Sequence, residues 1–400
     1  MECYKLHELG EFYSGLSGKS KDDFKDGNAK FITYVNIYNN PSLKTDVEER
    51  VKIADGEKQN NIQYGDLLFT GSSETPDECG MCSVLTHHTD EKLYLNSFCF
   101  GFRFHDLSDK CPSFMKHLFR STNIRKKICK TANGVTRYNI SKKEFAKLEI
   151  PLPPLPVQEE IVRILDTFTE LQAELQAELQ ARQLQYQYYR DQLFAFDGRT
   201  DIKWKKLGEV GTITRGNGLQ KKDFTESGVG CIHYGQIYTK YGAYTDKTLT
   251  YVDEALASKL LQVEKGNLVI ACTSENVEDI CKCVAWLGDN NICTGGHACV
   301  LRHNQNPKYV AYFFQTEQFF KQKKKYVYGT KVMDIKPDNI AKIEIPIPSL
   351  DEQNRIVSIL DKLYILTTDL SQGLPAEIEA RKQQYEYYRD KLLTFKRKEV

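Results

Sequence analysis

The chain has 400 residues, 55 Lys and Arg against 54 Asp and Glu, 40% apolar and 27% charged residues. That composition excludes a disordered, fibrous or membrane-embedded chain and suits two to four globular domains, with room for a core in each half. A net charge of +1 neither demands nor forbids a polyanionic partner, because such partners are recognised by charge clustered on one face.

The N-terminus, Met1 to Leu6, lacks a charged-then-apolar leader, and no apolar run approaches the roughly 18 residues of a membrane span, so a cytoplasmic protein is expected. In such a compartment the 12 cysteines are expected to be free thiols. Cys79-x2-Cys82 and Cys281-x-Cys283 are the close pairs, and neither has the second pair that a four-ligand zinc site requires. No metal or cofactor is expected in the chain.

In chain order, Phe31 to Tyr38, Leu67 to Thr70 and Phe98 to Phe104 read as strands between Gly, Asn and Asp turns. Apolar residues then recur at three and four from Pro112 to Cys129, the spacing of a helix. Proline forbids helix from Ile150 to Pro156, which reads as a stiff hinge. Beyond it, Ile161, Leu165, Phe168, Gln172, Leu175, Leu179, Arg182, Tyr186, Tyr189, Leu193 and Phe196 alternate four and three, a coiled-coil seam.

The same order then returns. Strands are expected at Leu268 to Cys272 and Ala298 to Leu301, a helix at Pro307 to Tyr326, and a hinge at Ile345 to Pro348. A second seam runs Ile356, Leu360, Leu363, Thr367, Leu370, Leu374, Ile378, Arg381, Tyr385, Tyr388, Leu392, Phe395. Two successive fours around Leu374 make a stutter, and Gly373 and Pro375 predict a kink or a broken turn there.

The return is a duplication. Glu149-Ile150-Pro151-Leu152-Pro153 recurs as Glu344-Ile345-Pro346-Ile347-Pro348, Gln158 as Gln353 and Asp166 as Asp361, all 195 residues later. Tyr188-Tyr189-Arg190-Asp191 recurs as Tyr387-Tyr388-Arg389-Asp390, and Ile32 to Tyr38 matches Ile232 to Tyr238. Two copies are too few for a solenoid and point to a pseudo-symmetric molecule with two working ends. The expected fold is α+β, with strand-rich domains at 1–150 and 201–345. Each precedes a hinge and long helix, at 151–200 and 346–400, and the two helices are expected to pair as an antiparallel coiled coil.

Catalytic motifs are not found. Gly18-Lys19-Ser20 lacks the glycine five positions earlier that a phosphate loop needs, since Tyr13 stands there. Gly216-Asn217-Gly218 lacks the third glycine of a dinucleotide fingerprint. Asn40-Pro41-Ser42 and Asn306-Pro307-Lys308 lack the second proline and aromatic of an amino-methyltransferase. His87, His88, His233 and His297 stand in no spaced constellation. A binding protein is expected, not a catalyst.

The twin hinges with their following glutamines, and the Tyr-Tyr-Arg-Asp ending of each helix, resemble the repeated regions of type I restriction-modification specificity subunits over the whole chain. The resemblance implies two target-recognition domains, each reading one half of an asymmetric bipartite double-stranded DNA site, with the helices setting the spacer. It also implies two modification subunits and two restriction subunits as partners. S-adenosylmethionine, ATP and Mg would sit on those partners and none in this chain.

Direct readout needs polar or cationic side chains on groove-facing segments, with lysines on phosphates. Candidates in the first domain are Lys19, Asn36, Tyr38, Asn39, Ser72, Asn133 and Arg137. In the second they are Arg215, Asn217, Gln236, Tyr238, Lys240, Thr273 and Lys331. Lys126 and Lys130, with Lys321, Lys323, Lys324 and Lys325, are the phosphate candidates. Asn36 and Gln236 form the best-matched pair, on segments read as strands. Tyr188 and Tyr387, off the seam, with Arg190 and Arg389, are expected to face a modification subunit; packing on the adjacent domain is the competing reading. Other readings of the chain are a stand-alone two-headed DNA-binding regulator, a coiled-coil scaffold for proteins, and the recognition part of a fused methyltransferase.

Overall fold

A computed structural model describes residues 2–369 and 371–395. Leaving aside single turns of four residues or fewer, in the first half the helices are α1 (Tyr34–Asn39), α2 (Pro112–Leu118), α3 (Thr122–Cys129) and the long α4 (Leu155–Ala195). In the second they are α5 (Tyr234–Thr239), α6 (Pro307–Phe313), α7 (Glu317–Lys323), α8 (Leu350–Thr368) and α9 (Leu374–Leu392). The chain divides into two compact units, one of Met1–Gln176 with Glu377–Val400, the other of Ala177–Ala376.

In the first unit, strands Gly10–Ser14, Cys99–Phe104, Leu67–Thr70 and Cys82–Val84 form an antiparallel sheet in that order. Successive side chains of a strand point to opposite faces, so one strand can feed two cores. Leu67 and Phe69 enter a core with Phe114, Leu118 and Phe119 of the α2 segment and Ile128 of α3. Leu68 enters another, with Ile32, Ile37 and Leu43. Ile161 and Leu165 of α4 and Leu393 beyond α9 complete the first core.

The second unit repeats this plan. Its sheet runs Gly211–Arg215, Ala298–His303, Leu268–Ala271, Cys283–Trp286, Tyr244–Thr245. Leu268 and Ile270 face one core while Val269 and Ala271 face the other. Tyr186 and Phe194 near the end of α4 and Ile356 and Leu360 of α8 complete the first of these.

The hinge motif is a buried hydrogen-bond clamp. The fully buried Gln158 accepts from the Cys111 N–H at 2.9 Å and donates to the Asp109 and Pro153 carbonyls at 2.9 and 2.7 Å. Gln353 accepts from the Asn306 N–H at 3.0 Å and donates to the Pro348 carbonyl at 3.0 Å. Each carboxamide thereby fixes the root of a long helix to the start of α2 or α6. About two turns on, Asp166 accepts from His117 of α2, and Asp361 accepts from Tyr312 of α6 at 2.5 Å.

The repeated Arg-Asp ending is a second clamp. Asp191 accepts from the Glu317 N–H at 3.2 Å and Asp390 from the Thr122 N–H at 2.9 Å, so each caps the first turn of α7 or α3. Exposed N–H groups at a helix start favour such a carboxylate. Arg190 and Arg389 pair with the neighbouring aspartates and lie over the Tyr186 and Tyr385 rings.

Several sequence expectations are corrected. Phe31 to Tyr38 is not one strand: the strand ends at Ile32, and Thr33 caps α1 by accepting from the Asn36 N–H. The helices expected over Pro112 to Cys129 and Pro307 to Tyr326 are each two: the backbone turns extended at Ser121 and Thr316 and then restarts, Thr316 capping the new helix by accepting from the Phe319 N–H. Leu155 and Pro156 lie in the first turn of α4, where a proline loses no hydrogen bond. Tyr189, placed on the seam, is 44% exposed. The second long helix is broken between Thr368 and Leu374, where the stutter predicts it; the seam residue Leu370 lies outside the described residues. Within the first unit Phe168 stacks on Tyr388, with centroids 5.4 Å apart, so helix pairing occurs inside that unit.

His117 links three helices, with Nε2 2.7 Å from Asp166 and Nδ1 3.0 Å from the Tyr385 hydroxyl. Burial lowers its pKa, outweighing the Asp166 carboxylate. A depressed histidine stabilises the fold fully above its unfolded value of about 6.5, and the contribution is lost as pH falls below it. The stability of the first unit in urea is therefore expected to fall as pH drops below about 6.5. His117→Tyr, the residue that the second unit sets against its aspartate, should flatten that slope; an unchanged slope would remove His117 from this role.

Phe194 is fully buried against Tyr309 and Phe313. Phe194→Ala is expected to destabilise the second unit by about 3–5 kcal/mol in urea unfolding.

Candidate nucleic-acid interface

In the first unit, α1 and a hairpin (Ala132–Asn133 paired with Tyr138–Ile140) flank a cleft of about 590 Å³. Its lining includes Tyr34, Val35, Tyr38, Ser72, Phe98 and Arg137. The hairpin turns through Gly134 at φ +144°, where an added Cβ would sit 2.0 Å from the Arg137 carbonyl oxygen. Gly329 closes the matching turn in the second unit at φ +110°, with the Val332 carbonyl oxygen 2.1 Å from such a Cβ. Only glycine fits either place, which explains their recurrence at one offset.

Much of the candidate set in the first unit is already engaged. Asn36 lies on a helix rather than a strand, and its carboxamide holds the 44 loop, donating to the Lys44 carbonyl at 2.8 Å. Lys19 donates to Glu57 and to the Lys52 carbonyl, both at 2.6 Å. Hydrogen bonds from Lys19, the Ala54 N–H and Gln59 hold the Glu57 carboxyl at about 2, so that closure survives mild acid. Tyr38 donates to Glu78 at 2.8 Å, and this bond, with those from Thr75 and Ser73, keeps Glu78 ionised. Ser72 is buried and accepts from Arg137. Asn39, Lys126, Lys130, Asn133 and Arg137 are exposed. Arg125, beside the lysines, turns inward and donates to the Asp77 and Cys79 carbonyls.

In the second unit an ion pair ties strand Gly211–Arg215 to the matching hairpin. Arg215 donates to Asp334 at 2.9 and 2.6 Å and to the Gly296 carbonyl at 3.0 Å, and the Asp334 bonds hold the guanidinium charged. Gln236 lies on helix α5, not on a strand, and accepts from the His233 N–H at 3.0 Å in a capping box. Tyr238 donates to the Thr273 carbonyl at 2.5 Å, and the buried Thr273 hydroxyl lies 3.1 Å from His297 Nδ1. Asn217, Lys240, Lys321, Lys324, Lys325 and Lys331 are exposed, Asn217 donating to the Lys259 carbonyl at 3.3 Å.

Lys323 is corrected as a phosphate candidate. It is 4% exposed and donates to the Glu278 and Ile280 carbonyls at 2.8 and 2.6 Å, tying down the turn that Arg125 ties in the first unit. Lys321, two positions back on α7, and Lys324 and Lys325 beyond its end are exposed, because residues one or two apart along a helix face different ways. Arg190 and Arg389 are corrected similarly: with the clamps above they serve the fold, Arg190 being 9% exposed. Tyr188 and Tyr387 remain 62% and 60% exposed.

Sequence reasoning missed the apolar part of this surface. Val35, Phe98 and Val135 are 62%, 59% and 88% exposed around or above the cleft. Phe98 could have been noticed, since its counterpart in the second copy is His297, a change that a core strand would resist.

Lys323→Ala removes two buried hydrogen bonds and is expected to destabilise the second unit by about 1–3 kcal/mol. Lys324→Ala is expected to leave urea unfolding unchanged.

The family model described as "Type I restriction modification DNA specificity domain" matches residues 1–182 and 200–380. The specificity subunit of the type I restriction enzyme EcoR124I/EcoR124II of Escherichia coli is 34% identical over 272 residues, 65% of this chain and 66% of that protein. This alignment thus spans about two thirds of that relative. A Mycoplasma pneumoniae protein named as a type I specificity subunit, S.MpnORF507P, is 26% identical over 398 residues, 98% of this chain and 97% of its own length. A chain from a solved structure on complex assembly and conformational transition of the type I R-M system shares the fold, with a TM-score of 0.66 at 16% identity over 98% of this chain and 97% of that one. Among the described residues no helix is long and apolar enough to cross a membrane.

Proposed function

This chain belongs to the type I restriction-modification DNA specificity family, and we propose that it directs a modification-restriction complex to an asymmetric bipartite DNA target. Residues 1–150 and 201–345 each read one half-site, and the helices that follow them hold the spacing. The observation that carries this reading is one scaffold present twice with different exposed chemistry at matched places. Arg137 stands where the second copy has Val332, and Phe98 where it has His297. Equal scaffolds with unequal contact residues suit two different half-sites.

The chain supplies specificity and no catalytic group. On this reading two modification subunits bring S-adenosylmethionine for adenine methylation, and two restriction subunits bring the ATP- and Mg-dependent motor and nuclease, in the cytoplasm. Exposed Tyr188 and Tyr387 are the docking points for a modification subunit, since both rings stay largely open to solvent while Arg190 and Arg389 are used internally. Replacing both tyrosines with alanine should release modification subunits in co-purification without lowering stability; intact assembly would remove them from that role.

The central test is methylome mapping of cells that carry the modification genes with and without this chain. A split, asymmetric adenine motif that appears only with the chain is expected. Methylation indifferent to the chain would refute the proposal, and tight specific binding by the chain alone would favour a stand-alone regulator. Exposed Lys126, Lys130, Lys321, Lys324 and Lys325 are assigned to phosphates. Replacing each should lower the slope of log affinity against log salt by roughly 1 and leave the motif unchanged.

A further inference from the structure

Arg137 differs from other cations of the candidate set. Lys19 is neutralised by Glu57, Arg215 by Asp334, and Lys323 is buried on carbonyl oxygens. Arg137 is held without being neutralised. Its Nε and Nη2 donate to the buried Ser72 hydroxyl at 3.2 and 3.0 Å, and its guanidinium lies 5.6 Å from the Phe98 ring centroid. Glu74 and Glu78 line the same cleft. Glu78 is occupied by Tyr38, Ser73 and Thr75, and neither carboxylate pairs with Arg137 among the described residues. The Nη1/Nη2 edge therefore keeps its donors, on a guanidinium whose plane is set by contacts on its other edge and face.

That arrangement suits a planar acceptor pair. Guanine presents O6 and N7 side by side in the major groove, and a guanidinium edge satisfies both at once. A side chain ordered before binding loses less rotamer freedom on contact, so the discrimination it offers is retained. A phosphate contact would need no such ordering, and the exposed lysines of the same unit, Lys126 and Lys130, carry charge without it. The matching hairpin position in the second unit is Val332, which has no donor, so this contact is confined to one half-site.

We propose that Arg137, oriented by Ser72 and Phe98, reads a guanine in the half-site recognised by the first unit. The inference rests on the DNA-specificity reading above and deepens it at one residue. The test is methylome mapping with the full chain, its modification subunits, and Arg137→Ala or Arg137→Lys in place of the wild type. The wild-type motif should hold a guanine in one half-site whose preference over other bases falls by roughly 5- to 150-fold in both variants. The other half-site should keep its sequence, which also reports that the variants fold and assemble. Lysine should not restore the guanine, because it keeps the charge but not the paired donors.

A motif unchanged in both variants, or methylation reduced alike at all sites with the same sequence preference, would overturn the assignment in favour of a phosphate or structural role while leaving the specificity function intact. Absence of any chain-dependent motif in the wild type would overturn both.

Discussion

Two buried glutamines, Gln158 and Gln353, set the geometry on which both halves depend. Each sits where a proline-stiffened strand becomes a long helix, and its carboxamide satisfies backbone groups of the hinge and of the start of α2 or α6. A buried amide of this kind is stable only when its donors and acceptor are used, so it tolerates few orientations of the helix root. Asp166 and Asp361, about two turns further along, repeat the constraint by engaging His117 and Tyr312. The helix thereby leaves each domain at a fixed angle through polar contacts, while Ile161, Leu165, Ile356 and Leu360 supply the apolar burial.

Much of the architecture was legible from the duplication. Matching hinges, glutamines and seams located the elements, because period and proline act locally and leave a direct mark on residue order. What stayed hidden were decisions made by single capping groups. Thr33 turned a β-branched and aromatic run into α1, Thr316 caps the restart at α7, and at α3 the cap comes from the distant Asp390. A cap contributes about 1 kcal/mol, enough to override a weak strand preference in a segment of six residues.

The candidate surface was less legible, for a related reason. Residue type announces that a side chain can donate a hydrogen bond, not whether the fold has already used it. Lys323, Asn36, Gln236 and Arg215 had suitable chemistry and proved to be committed to carbonyls, caps or an ion pair. Val35, Phe98 and Val135 carry no donor or acceptor to mark them in the sequence and proved to be exposed. The two units consequently differ more than their shared scaffold suggests: one bears an open cleft edged by apolar side chains, the other a surface locked by Arg215 and Asp334.

The Arg-Asp ending of α9 carries an implication for how the protein comes into being. Asp390 caps α3, and Leu393 lies in a core built mainly from the first 165 residues. The first unit is therefore finished by a segment made only after the whole second unit has been synthesised. At ordinary elongation rates of about 5–20 residues per second, that interval is on the order of ten seconds or more. During it α2 and α3 lack their covering helix, so nascent chains of this protein expose an apolar face for far longer than a domain built from contiguous sequence would.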